Sequence, residues 1–76
     1  MYRYLVIFEH GLTTWGAYVP DLLGCVAVGD TREEVEQSIR TALAMHLQGM
    51  LDDHEPIPPA TSSAEEIEVT LPHPVA

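Results

Sequence analysis

Cys25-Val26-Ala27-Val28-Gly29-Asp30-Thr31-Arg32-Glu33-Glu34-Val35 is the stretch in which the apolar period changes from two to 3.6. Ahead of Gly29 a short apolar run reads as a strand, and Gly29-Asp30 reads as its turn. Beyond Thr31, Val35, Ile39, Leu43, Leu47 and Met50 recur at helical spacing with Ala42 and His46 between them, which predicts a helix over 31–51. Thr31 followed three residues later by Glu34 is a capping box. Glu33, Glu34 and Glu36 fall where the positive end of the helix dipole favours carboxylates. Asp52-Asp53-His54-Glu55-Pro56 ends the helix without a C-cap glycine.

Upstream, residues 2–8 are rich in aromatic and β-branched side chains and stop at Glu9-His10-Gly11, a strand entering a turn. A second strand runs from Trp15 to Val19 and is stopped by Pro20, with Pro20-Asp21 and Gly24 supplying turn chemistry. Short links make residues 2–28 a three-stranded antiparallel meander. Downstream, 56–64 reads as an irregular connection. Glu66-Ile67-Glu68-Val69-Thr70-Leu71 alternates strictly and is expected to form a fourth strand at a sheet edge. Pro72 and Pro74 end regular structure, and 72–76 is expected to fray. The whole chain, 1–76, is thus expected to be a single α+β domain of order β-β-β-α-β, with its ordered core over about 1–71 and one helix on one sheet face.

Twelve carboxylates face Arg3, Arg32 and Arg40, with no lysine, for a formal charge of -9. Three scattered arginines cannot build the cationic patch that displaces counterions from phosphates, so direct nucleic-acid binding is not expected. A basic protein is the natural partner of such a surface. Cys25 is the only cysteine, which excludes an intrachain disulfide and fits a reducing compartment. No secretory leader and no apolar run of the ~20 residues needed to span a bilayer are present, so a soluble, cytoplasmic protein is expected.

The apolar residues exceed what one helix can cover. Tyr4, Val6 and Phe8 alternate with Leu5 and Ile7, so the first strand is apolar on both faces. A helix over 31–51 would span about 30 Å against about 20 Å for a six-residue strand, so its far end must overhang. Leu47, Met50 and Leu51 would then be covered by Ile57-Pro58-Pro59 or by another chain. A chain of this size buries only about 60% of its unfolded surface, and a homodimer or higher oligomer answers the surplus.

Nothing in the chain assembles a reaction centre. His10, His46, His54 and His73 lack the spacing that puts two zinc ligands on one helical face. Cys25 lies in an apolar strand with no cation nearby in sequence, the setting of an inert core thiol. Asp21, Asp30 and Glu33 are read as turn, pre-cap and first-turn residues rather than as Mg²⁺ ligands. No metal, no cofactor and no enzymatic activity are expected.

The stretch Val19-Pro20-Asp21-Leu22-Leu23-Gly24-Cys25 followed by Gly29-Asp30-Thr31-Arg32-Glu33-Glu34 resembles the HicB-like antitoxin family, whose pattern is P-D-L-x-G-C, a short strand, G-D-T-x-E-E and a long helix. The family's proline-rich connection and last strand are matched by Pro56-Ile57-Pro58-Pro59 and by 66–71, so the likeness covers nearly the whole chain. It implies a partial ribonuclease-H-like fold without nuclease activity, in which Pro20, Asp21, Gly24, Cys25, Gly29, Asp30 and Thr31 serve structure. It also implies a partner, a small basic ribonuclease toxin of the HicA type with a double-stranded-RNA-binding-like fold, whose catalytic histidine the antitoxin covers. Asp21, Glu33, Glu34 and Glu36 are the candidate partner-binding residues. Many members add a C-terminal DNA-binding domain, and with the sequence read to Ala76 none is expected here. The alternative reading is a stand-alone homo-oligomeric module without a toxin partner, with or without a small ligand between chains.

Overall fold

The computed structural model describes residues 1–73. Three strands, β1 (Ile7–His10), β2 (Trp15–Tyr18) and β3 (Val26–Gly29), form an antiparallel sheet in sequence order, followed by α1 (Arg32–Asp52). The register aligns Phe8, Ala17 and Ala27 in one row and His10, Trp15 and Gly29 in the next row of that face. This is the face under α1. Small side chains at Ala17 and Ala27 let the helix approach, and a Cβ at Gly29 would meet Val35 Cγ2 at 3.1 Å. Val35 and Ile39 drop from α1 onto Ala17, Val19, Leu22 and Cys25 to make the core. Ala42, Leu43, Leu47 and Met50 continue the stripe, partly buried, and His46 is half-buried beside them. His10 stacks on Trp15 with ring centroids 4.3 Å apart and shields the end of that row.

The cap at Thr31 forms as expected, with the return bond from Glu34 shifted one residue upstream to Asp30. Thr31 Oγ1 accepts the Glu34 N–H at 3.1 Å, and Glu34 Oε2 accepts the Asp30 N–H at 3.1 Å. At the other end His54 supplies the left-handed residue, φ 58°, that glycine usually provides. Its neighbours then satisfy the last carbonyls, with Glu55 N–H donating to Met50 and Asp53 N–H to Gly49. The overhang is also as expected. Leu51 is exposed, whereas Ile57 and Pro58 are half-buried.

Two strand expectations are corrected. The first strand pairs only over Ile7–His10 rather than from residue 2, because β2 is four residues long and turns inward at Val19, leaving 2–6 without a ladder partner. The fourth strand does not form within the chain. Residues 66–71 carry the alternation of a strand, but a strand exists only where an edge hydrogen-bonds to it, and here every described residue from 59 on is exposed. The C-terminal arm therefore projects. The radius of gyration is 16.3 Å, against about 11 Å for a compact chain of this length. Part of the tail expected to fray, 74–76, lies outside the described residues.

Candidate protein-binding surface

The loop between β2 and β3 holds most of the motif, and its backbone explains the residue types. Leu22 N–H donates to the Val19 carbonyl at 3.1 Å and Cys25 N–H to the Leu22 carbonyl at 3.2 Å, so 19–25 makes two successive tight turns. Pro20 presets the second position of the first turn, and Gly24, at φ +85°, fills the third position of the second. The double turn drives Val19, Leu22 and Cys25 inward and leaves Leu23 97% exposed. Burial pushes the Cys25 thiol up, away from thiolate reactivity.

Asp21 does something its turn position did not reveal. Its carboxylate accepts the backbone N–H groups of Thr61 and Ser62, each at 3.0 Å, and their hydroxyls at 3.2 and 2.8 Å. These bonds, led by the Ser62 N–H, hold its carboxyl below the usual range. Tyr4 adds a second anchor by donating its hydroxyl to the Pro58 carbonyl. Asp21 thus ties down the base of the arm, at the sheet end opposite the start of α1.

The structure does not bring Asp21 together with Glu33, Glu34 and Glu36. Glu34 is engaged in the cap. Glu36 is flanked by Arg40 at 3.1 Å and Arg32 at 3.8 Å. Glu33 is exposed and, among the described residues, pairs with no cation. Charge is instead divided along the chain. Six of the twelve carboxylates lie between Asp52 and Glu68, a stretch without lysine or arginine, whereas all three arginines gather beside β1. Arg3 and Arg40 border an open groove of about 300 Å³ between residues 2–8 and α1, and Arg32 sits 4.1 Å over the Phe8 ring. This asymmetry was visible in sequence as the distribution of charge rather than its total.

The sheet face opposite α1 is uncovered. Ile7, Tyr18 and Val26 align across it, as do Glu9, Gly16 and Val28. Tyr18, Val26 and Val28 are exposed, Val28 by 77%. Among the described residues no three His, Cys, Asp or Glu side chains come close enough to hold a metal ion, and no helix is long and apolar enough to cross a membrane. An apolar face within an acidic molecule is suited to gripping a protein.

Comparison with known proteins agrees with this architecture. Residues 4–74 match the family described as HicB-like antitoxin of bacterial toxin-antitoxin systems. A UPF0150 protein of Synechocystis is 36% identical over 59 residues, covering 76% of this chain and 75% of that one. Antitoxin HicB 2 of Photorhabdus laumondii is 37% identical over 68 residues, covering 88% of this chain but 49% of that protein. A Haemophilus phage HP1 protein from the rep-hol intergenic region is 42% identical over 40 residues, 53% of this chain and 30% of its own length. The chain thus spans half or less of these last two relatives. Among solved structures, a chain of a HicA3 and HicB3 toxin-antitoxin complex superposes with a TM-score of 0.64 at 23% identity, over 78% of this chain and 70% of that chain, a likeness of fold. With the family pattern matched across 4–74 and the three-strand, one-helix fold in place, the chain belongs to the HicB-like antitoxin family.

Proposed function

We propose that the chain acts as an antitoxin by binding a small basic ribonuclease of the HicA type and silencing it, with no catalysis of its own. Membership of the HicB-like family is the observation that carries this reading. The physical features support it. A charge of -9 favours encounter with a cation-rich protein, and the uncovered sheet face with Tyr18, Val26 and Val28 supplies the apolar centre that sets residence time. Glu33 is the member of the predicted acidic set available to a partner. Glu34 and Glu36 are committed within the helix, and Asp21 to the arm.

The test is inhibition of RNA cleavage by a purified candidate toxin, together with binding kinetics across a salt series. Stoichiometric protein is expected to silence cleavage. Added salt is expected to slow association far more than it hastens dissociation, since exposed charges beyond about 8 Å are screened at physiological ionic strength. Val28→Asp, at an exposed position, is expected to speed dissociation while leaving the fold intact. No inhibition at stoichiometric protein overturns the reading and favours the stand-alone oligomer.

A further inference from the structure

We infer that the C-terminal arm of one copy adds as a strand to the free edge of β1 in a second copy, reciprocally, so that each sheet is completed by its neighbour's residues 66–71. The arm has the pattern of a strand and no ladder. Ile67, Val69 and Leu71 share one face, are exposed by 75, 73 and 62%, and rest on nothing in their own chain. Its base is held by Asp21 through Thr61 and Ser62 and by Tyr4 through Pro58, at the sheet end where β2 finishes and β1 begins. From there nine extended residues reach about 30 Å.

The receiving edge is as incomplete as the arm. Strand β1 lies at the margin of the sheet, and its extension through 2–6 has no ladder on either side. Residues 4–8 are all apolar and lack the charge, proline or bulge with which natural edges avoid pairing. With its extension, β1 also matches a six-residue arm in length, whereas β3 has four residues between its turns. Beside this edge runs the groove lined by Tyr4, Val6, Ile39 and Leu43, which alternate side chains of an added strand would enter.

Charge selects the occupant. The groove is lined by Arg3 and Arg40 with Glu36 between the helix arginines, and Arg32 lies close by over Phe8. This is the least negative part of an otherwise acidic chain and favours an acidic segment over a basic one. Glu65, Glu66 and Glu68 make the arm such a segment. With Ile67, Val69 and Leu71 turned to the groove, alternation puts Glu66 and Glu68 at the intervening positions of the added strand. Because each copy carries one arm and one edge, two copies satisfy both and close the assembly.

Sedimentation of the isolated full-length chain over a wide concentration range tests this without any toxin, so its outcome is separate from that of the proposed function. A dimer of twice 8.4 kDa is expected. Ile67→Asp/Val69→Asp, at exposed positions, should raise its dissociation constant at least ~100-fold, the loss of burial of two β-branched side chains. Arg3→Glu/Arg40→Glu should weaken it by about tenfold or more and make the remainder less sensitive to salt. Hydrogen exchange in the native dimer should show protection of the amides of 4–8 and 66–71 rising together with concentration. A chain that stays monomeric at every concentration, or a dimer indifferent to the arm substitutions, overturns the inference. A monomeric chain whose arm substitutions abolish binding to a basic protein would assign the arm to that partner instead.

Discussion

Leu22 and Leu23 are adjacent, identical in chemistry and opposite in environment, and the double turn predicts opposite consequences for their truncation. Leu22 is 2% exposed and sits in the core with Val19, Cys25, Val35 and Ile39, whereas Leu23 is 97% exposed at the tip of the second turn. Leu22→Ala removes nearly the whole transfer free energy of its side chain. The loop around it is closed by hydrogen bonds at both turns and cannot collapse to fill the space. A cost of about 3–4 kcal/mol is expected, within the usual range for buried leucines. A chain of 76 residues has a total stability of about 4–11 kcal/mol, so this is a large part of it. Leu23→Ala should stay within about 0.5 kcal/mol of the parent. Urea unfolding at low protein concentration, with unchanged slopes, gives both differences from the midpoints. Equal costs at the two positions would refute the turn geometry, and a larger cost at Leu23 would invert it.

Cys25→Ala should lower stability by roughly 0.5–2 kcal/mol and leave partner binding nearly unchanged, since the thiol is buried away from the surface; loss of binding in a folded variant, measured by calorimetry, would contradict this. The carboxyl of Asp21 is held below its ordinary value of about 3.9 by its bonds to the arm, so anchoring is complete above that pH and is lost as pH falls through the lowered value. Asp21→Asn should release the arm at neutral pH, seen as faster exchange of the Thr61 and Ser62 amides with the core signals unmoved. His54→Gly should raise stability by roughly 0.5–1 kcal/mol by relieving a left-handed non-glycine residue, an effect read from thermal unfolding.

Elements whose signals are local could be read directly from the sequence. The helix, with its cap at Thr31 and its stripe of Val35, Ile39, Leu43 and Leu47, depends on spacing and on residues three or four apart. The Pro20 to Gly24 turns depend on residues that preset φ. Strand length is different in kind, because it is a property of a pair. Residues 2–6 have the composition of a strand, yet β2 ends too early to pair with them. Residues 66–71 have the alternation, which specifies a buried face but names no neighbour. His54 was invisible as a cap because the left-handed position was filled without glycine. Asp21 read as a turn residue and a candidate contact, and its hold on Thr61 and Ser62 spans forty residues of sequence. No local signal reports such a bond.

The division of charge also separates the two surfaces the fold leaves open. The groove beside β1 is bordered by Arg3, Arg40 and Glu36 with Arg32 nearby, and the uncovered sheet face carries Glu9 as the charge in its aligned rows. A basic protein approaching this chain finds less attraction at the first than elsewhere and an apolar, weakly acidic platform at the second. If a second copy's acidic arm fills the groove, the cations there are neutralised and the remaining surface becomes more uniformly negative. Self-association would then enlarge the sheet and strengthen the field that draws a basic partner, while leaving the sheet face opposite α1 open. Dimerisation and toxin binding, on this reading, use different faces and reinforce each other. Dilution that dissociates the dimer should accordingly slow capture of the toxin.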